Sequence, residues 1–202
     1  MAISLTKGQR ISLEKEAGKD LQEICVGVNW GAIEKKGFFG TKKVPVDLDA
    51  SVGLYNDNKQ PVDVVYFGQL RSKCGSIHHS GDDLTGDMEG DDGLDNEVIT
   101  INLQQVPQGV SAVAVVLNSF RKQDFAAIPF ASIRLYEGTP SRVNNILATY
   151  DIANDPSFSG SISMVLGILY KKDGDWKFKA VGEATRDQGL EQTIETVSRS
   201  YI

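Results

Sequence analysis

Along most of the chain apolar and polar residues alternate with a period of two, and Gly, Pro, Asn and Asp break the pattern at short intervals. That period is the mark of half-buried strands, whose side chains point alternately to opposite faces. Leu21–Trp30 puts Ile24, Val26, Val28 and Trp30 on one face. Val46–Tyr55, Val62–Phe67 and Val98–Leu103 are further strand candidates, and Val110–Leu117 reads as a more deeply buried one. Phe130–Glu137 divides into Phe130, Ser132, Arg134 and Tyr136 on one side and Ala131, Ile133 and Leu135 on the other. Ser163–Tyr170 and Trp176–Val181 flank Lys171–Asp175, whose Asp-Gly dipeptide predicts a hairpin. At the N-terminus, Ile3–Leu5 and Ile11–Leu13 surround Lys7-Gly8-Gln9 and suggest a second hairpin or paired edge strands. Two stretches read as helix. Arg121–Ala127 is short, whereas Leu190, Ile194, Val197 and Tyr201 recur at helical spacing and form one apolar stripe. The pattern predicts a mainly β fold, an antiparallel β-sandwich with one C-terminal helix and few short helices. No break in composition marks a linker, so residues 1–202 are expected to form a single domain.

Composition narrows the function classes. With 202 residues, 41% hydrophobic and 24% charged, the chain can bury a core without metal or disulfide staples. No apolar run approaches the ~20 residues of a membrane span, and the first residues lack a signal-peptide pattern, so a cytoplasmic protein is expected. In that compartment Cys25 and Cys74 are expected as buried thiols, because they have no metal-ligand spacing. A net charge of −6 and a pI near 5.0 argue against nucleic acid as a partner.

The charge is concentrated in one place. Gly81–Glu97 carries eight acids, Asp82, Asp83, Asp87, Glu89, Asp91, Asp92, Asp95 and Glu97, and no base. Removing these eight from the chain's 27 acids leaves 19 against 21 bases. Carboxylates ~6 Å apart repel by roughly 0.7 kcal/mol in water and more near a low-dielectric surface. An ordered loop of this kind calls for a counter-ion, and its interspersed glycines let oxygens converge. Flexible, hard oxygen donors suit Ca²⁺ better than Mg²⁺, which demands strict octahedral geometry. A solvated acidic loop is the alternative that composition leaves open. The segment is not an EF-hand: in a loop begun at Asp87, Asp92 falls where Gly must turn and Val98 falls where Glu must ligate. A second acidic pair, Asp47 and Asp49, projects with Ser51 from one face of a strand, and either basic side chains or a shared metal would satisfy it.

Catalytic signatures are thin. His78 and His79 are the only histidines and point to opposite faces of a strand; no P-loop, GxGxxG or HExxH occurs. The chain is not expected to be an enzyme. Lys35–Lys43 combines four Lys with Phe38 and Phe39. It reads as an ordinary exposed loop with one Phe in the core, or as a contact with an anionic membrane surface or a partner.

The stretches SLTKGQRISL (4–13), VGVNW (26–30), DLDAS (47–51), GSIHHSGDDLTG (75–86), Gly90-Asp91-Asp92, NSFR (118–121) and WKFKAVG (176–182) resemble, in order, the TerD family of bacterial tellurium-resistance and stress-response proteins, in its TerZ-like branch. The resemblance implies a cytoplasmic, non-enzymatic, calcium-binding β-sandwich. It also implies other tellurium-resistance or stress-complex proteins as partners, and peripheral contact with the inner face of the membrane. One or two Ca²⁺ ions are implied, with Asp82, Asp83, Asp91 and Asp92 as ligands and Asp47 and Asp49 in support. Gly86, Glu89 and Glu97 would contribute further oxygens. Here Gly93-Leu94-Asp95-Asn96 separate Gly-Asp-Asp from Glu97, where the family runs directly into Glu. A calcium-dependent module for small ligands or glycans is the rival reading.

Overall fold

The computed structural model describes residues 3–18, 21–38, 40–151 and 156–202. Its elements in chain order are β1 (Ile3–Ser4), β2 (Arg10–Ser12), α1 (Leu13–Ala17), β3 (Glu23–Trp30), β4 (Ile33–Gly37), β5 (Gly40–Val44), β6 (Leu48–Tyr55), β7 (Pro61–Val65), β8 (Ile77–His79), β9 (Glu97–Asn102), β10 (Ala112–Ser119), β11 (Ala131–Thr139), β12 (Arg142–Asp151), β13 (Ser163–Lys172), β14 (Asp175–Thr185) and α2 (Leu190–Ser200). Two six-stranded sheets result. The first has the order β1-β12-β11-β3-β9-β8, the second β2-β14-β13-β10-β6-β7; β4 and β5 pair only with each other. Among the described residues all pairings between these strands are antiparallel except β1 with β12.

The two sheets face each other across one core. Ile24, Val26, Val28 and Trp30 of β3 meet Ala50, Val52 and Leu54 of β6 and Val113, Val115 and Leu117 of β10. The period-two faces read from the sequence are the faces turned into this core, and the opposite faces of β3 and β6 are buried as well rather than half-exposed. Strand β10 is apolar on both sides because its other face, Ala112, Ala114 and Val116, lies under α2 through Ile194 and Val197. The Tyr55 hydroxyl donates to the Ile194 carbonyl at 3.0 Å and fixes the helix on this face. On the outer side of β11, the Arg134 guanidinium lies 5.7 Å from the centre of the Tyr136 ring.

The β13–β14 hairpin is longer than its apolar residues imply, with Lys172 opposite Asp175 and only Asp173-Gly174 in the turn. Both turn residues have positive φ, 57° and 91°, the requirement of a two-residue type I′ connection that matches strand twist. The expected N-terminal hairpin does not form. β1 joins the first sheet through β12, and β2 joins the second through β14. Leu5 and Ile11 are both buried in the shared core. Each short strand gains a ready-made edge, and the Thr6–Gln9 turn straps the two sheets together.

Arg121–Ala127 is not an α-helix: a turn at Ser119–Lys122 leads into a 3-10 helix at Phe125–Ala127, capped by Asp124. The Lys-rich segment is a hairpin rather than a loop, with Phe38 at its tip 98% exposed; Phe39, the other candidate for the core, lies outside the described residues. Cys25 is buried as expected, but Cys74 is exposed in the Ser72–Gly75 turn. Among the described residues no helix is long and apolar enough to cross a membrane.

Candidate metal centre

The acidic segment begins after β8 and ends at the first residue of β9, so both ends are fixed in the first sheet. Its middle is stitched to the rim of the sandwich by main-chain bonds. Asp87 N donates to Trp30 O at 2.9 Å, Ala32 N to Asp87 O at 3.2 Å, and Val46 N to Thr85 O at 2.9 Å. The Trp30 indole donates to Val46 O at 2.9 Å and so carries the loop across to the start of β6. Gly86 sits against that indole with φ +64°; a Cβ there would lie 2.5 Å from Trp30 Cδ1. At the far end Asn96 N donates to Val28 O, and the Asn96 side-chain oxygen accepts from Trp30 N at 2.7 Å. These bonds fix Thr85–Asp87 and Asn96 against the sandwich, while Glu89–Leu94 between them are exposed.

Two groups of carboxylates emerge from this scaffold. Oxygens of Asp47, Asp49 and Asp82 lie within 4.8 Å of one another, and so do those of Asp87, Asp91 and Asp92. The first group straddles the sheets, since Asp49 is the second residue of β6, Asp47 immediately precedes that strand and Asp82 comes from the loop. Asp47 is held in place by its neighbours: Gln123 Oε1 accepts from Asp47 N and Gln123 Nε2 donates to Pro45 O. Its Oδ2 lies 3.0 Å from Arg121 Nε, while its Oδ1 is buried with no hydrogen-bond partner. Burial raises the Asp47 carboxyl above its ordinary value despite Arg121, with Asp82 adding to the rise. Burial, followed by repulsion from Glu97, Asp47 and Asp82, pushes Asp49 up to about 7. These are carboxylates packed more tightly than their own cations can offset.

The second group is more exposed. Asp91 Oδ1 accepts from Asn29 Nδ2 at 2.9 Å and from Gly93 N at 2.8 Å. Asp87 accepts from Asn96 Nδ2 at 3.0 Å and from Asp92 N at 3.2 Å. Burial nonetheless raises Asp87, with Asp92 and Asp91 adding to it against the Asn96 bond.

The remaining acids are engaged elsewhere. Asp83 folds onto its own turn and accepts from Thr85 N, Thr85 Oγ1 and Gly86 N. Burial would raise its carboxyl, but these bonds hold it below the ordinary value. Glu97 is fully buried; Oε2 accepts from Ala50 N at 2.7 Å and Oε1 from Asp83 N at 3.2 Å. His79 Nε2 stands 3.4 Å from Glu97 Oε2, and His79 Nδ1 accepts from Gly81 N. Asp95 pairs with Arg134 at 2.7 Å. Glu89 points outward and pairs with Lys43 at 3.6 Å. Of the residues singled out in the sequence, Asp47, Asp49 and Asp82 thus come together, as do Asp91 and Asp92. Asp83, Gly86, Glu89 and Glu97 lie outside both groups.

The ligand set read from the sequence omits Asp87, although it is counted among the acids of the loop, and no role is read there for Asn29, Asn96 or His79 at this site. Asn29 had a readable signal, as a polar residue next to the end of the largely apolar β3. Asn96 had none, and the grouping of Asp87 with Asp91 and Asp92 was not readable, because both positions follow from the loop's path past Trp30.

Comparison with known proteins agrees with this architecture. The TerD domain model matches residues 1–196. Stress response protein SCP2 of Bacillus subtilis is 38% identical over 209 residues, covering 96% of this chain and 98% of the relative. Tellurium resistance protein TerZ of Serratia marcescens is 35% identical over 203 residues, 99% of each chain. Among solved structures, a homologue of telluride resistance protein TerD from Streptomyces coelicolor A3(2) superposes with a TM-score of 0.66 at 19% identity, over 87% of this chain and 96% of that one.

Proposed function

Because the chain belongs to the TerD family of tellurium-resistance and stress-response proteins, we propose that it is a calcium-binding protein of that response, acting by binding rather than catalysis. Asp47, Asp49 and Asp82 would hold one ion, and Asp87, Asp91 and Asp92 a second. The observation that carries this reading is the buried, unpartnered Oδ1 of Asp47 beside two further carboxylates. Such an atom costs folding free energy on the order of 1–3 kcal/mol or more unless something positive meets it. Oxygen-only donors and a Gly-containing loop favour Ca²⁺ over softer or more geometrically demanding metals. The bound charge would offset the repulsion among the carboxylates and stiffen the Asp82–Asp92 surface. Other stress-complex proteins would then read that surface.

Calorimetric titration of the chelator-stripped protein with Ca²⁺, repeated in millimolar Mg²⁺, tests the reading. Binding at micromolar or tighter affinity that survives Mg²⁺ is expected; no heat, or an equal response to both ions, would overturn it. One observation favours calcium-dependent binding of a small ligand as a second reading. Asp49 also lines a cavity of about 330 Å³ with Ser51, Asn118, Tyr66, Phe67 and Phe120. A glycan array probed with and without Ca²⁺ separates the two readings.

A further inference from the structure

Helix α2 covers only part of the outer face of the second sheet. Beyond Tyr201 the face opens into a cavity of about 510 Å³ whose floor is apolar, formed by Ala112 and Ile168 with Tyr170 beside them. The rim carries Arg10, Lys172 and Lys179 together with Ser111 and Ile202, and no Asp or Glu side chain lines it. Outside Gly81–Glu97 the chain carries 21 bases against 19 acids, and three of those bases gather on this rim. Neighbouring cations have partners, Lys7 with Glu183 and Lys177 with Asp175. Among the described residues no carboxylate lies within ion-pairing distance of Arg10, Lys172 or Lys179.

Strand register sharpens the point. Arg10 of β2 and Lys179 of β14 are direct cross-strand partners, and Lys179 is in turn opposite Ile168 of β13. Like charges directly opposite each other destabilise a sheet. A fold that needed only a solvated edge there could carry opposite charges at no cost. Cations converging on an apolar, tyrosine-flanked floor match a ligand with several negative charges and an apolar or planar body.

We propose that this cavity binds an organic phosphate, its phosphate oxygens held by Arg10, Lys172 and Lys179 and its planar body lying on Ile168 and Tyr170. The site shares no residue with the carboxylate groups and does not depend on the calcium reading.

The probes are ATP and inorganic triphosphate, titrated calorimetrically into the full chain in metal-free buffer. Saturable binding of ATP is expected, with triphosphate weaker because it lacks the planar body. Arg10→Gln and Lys179→Gln should each weaken ATP binding about tenfold, the scale of one charge-assisted contact, and Lys35→Gln on the distant hairpin should leave it unchanged. Without phosphate, both cavity variants should melt no lower than the native chain, since each relieves a repulsion. Absence of saturable ATP binding would overturn the proposal, as would an equal loss in Lys35→Gln. Triphosphate binding as tightly as ATP would overturn the organic body, and a lower melting temperature in the cavity variants would give the cations a structural role instead.

Discussion

Asp49 sits where several carboxylates compete for too little positive charge, and the sign of its response to pH follows. Its folded value of about 7 lies above the ~3.9 of an unfolded Asp. Between those values the native chain binds a proton that the unfolded chain has released. In metal-free protein the Asp49 contribution to stability is therefore present below about pH 4 and is lost as pH rises toward 7. Burial raises Glu97 against the pull of His79, which adds in the same direction. Urea midpoints measured from pH 4.5 to 8 in chelator should fall with rising pH, and Asp49→Asn should flatten the slope; a flat native profile would refute the assignment. Cation binding displaces the same proton, so calcium affinity should weaken as pH drops below 7. For the second group, Asp91→Asn with Asp92→Asn should lower calcium affinity at least tenfold while the chelator-treated fold stays intact. Both side chains are solvent-facing acceptors rather than core, so circular dichroism should be unchanged.

The acidic loop is an element in its own right, positioned by Trp30 as much as by its charges. Gly86 and Gly93 both have positive φ, yet a Cβ at Gly86 would strike the Trp30 ring whereas one at Gly93 would meet nothing within 4 Å. Gly93→Ala should cost about 1 kcal/mol from backbone conformation alone. Gly86→Ala should cost at least about 2 kcal/mol, because the turn must also leave the indole; equal costs in urea unfolding would deny Trp30 that role. This contrast also marks what the sequence makes legible. Strand faces such as Ile24, Val26, Val28 and Trp30 are legible because burial and the period of two are one physical fact. The α2 stripe and the Asp173-Gly174 turn are legible for similar local reasons. Ile3–Leu5 and Ile11–Leu13 are not, because which sheet edge a two- or three-residue strand joins is decided by distant partners, β12 and β14. The carboxylates as a class stand out in composition. Their division into two groups, with Asp83 turned onto its own backbone and Asp95 onto Arg134, depends on hydrogen bonds that no spacing encodes.

At the scale of the whole molecule, the first carboxylate group bridges the two sheets at one end of the sandwich, while the Thr6–Gln9 turn bridges them elsewhere. Asp49 belongs to the second sheet's β6 and Asp47 immediately precedes it, while Asp82 follows β8 of the first. Glu97, on β9 of the first sheet, accepts from Ala50 N of β6 and makes a second bond across the same gap. Without a counter-ion this end is pulled together by hydrogen bonds and pushed apart by charge. A bound cation removes the second effect and leaves the first. Its stabilisation should therefore be local, concentrated in segments whose opening separates Asp47 and Asp49 from Asp82. Amide hydrogen exchange with and without Ca²⁺ should show added protection in residues 46–51 and 82–97. Little change should appear in β13 and β14, whose ladder bonds do not involve the site. The melting temperature should still rise with free Ca²⁺, because any ion bound only by the native state shifts the global equilibrium by RT ln(1 + [L]/Kd). Protection rising uniformly through β13 and β14 would mean that the rim does not open separately. A rise confined to residues 87–92 would leave the second group as the only calcium site and return the Asp47 end to Arg121 alone.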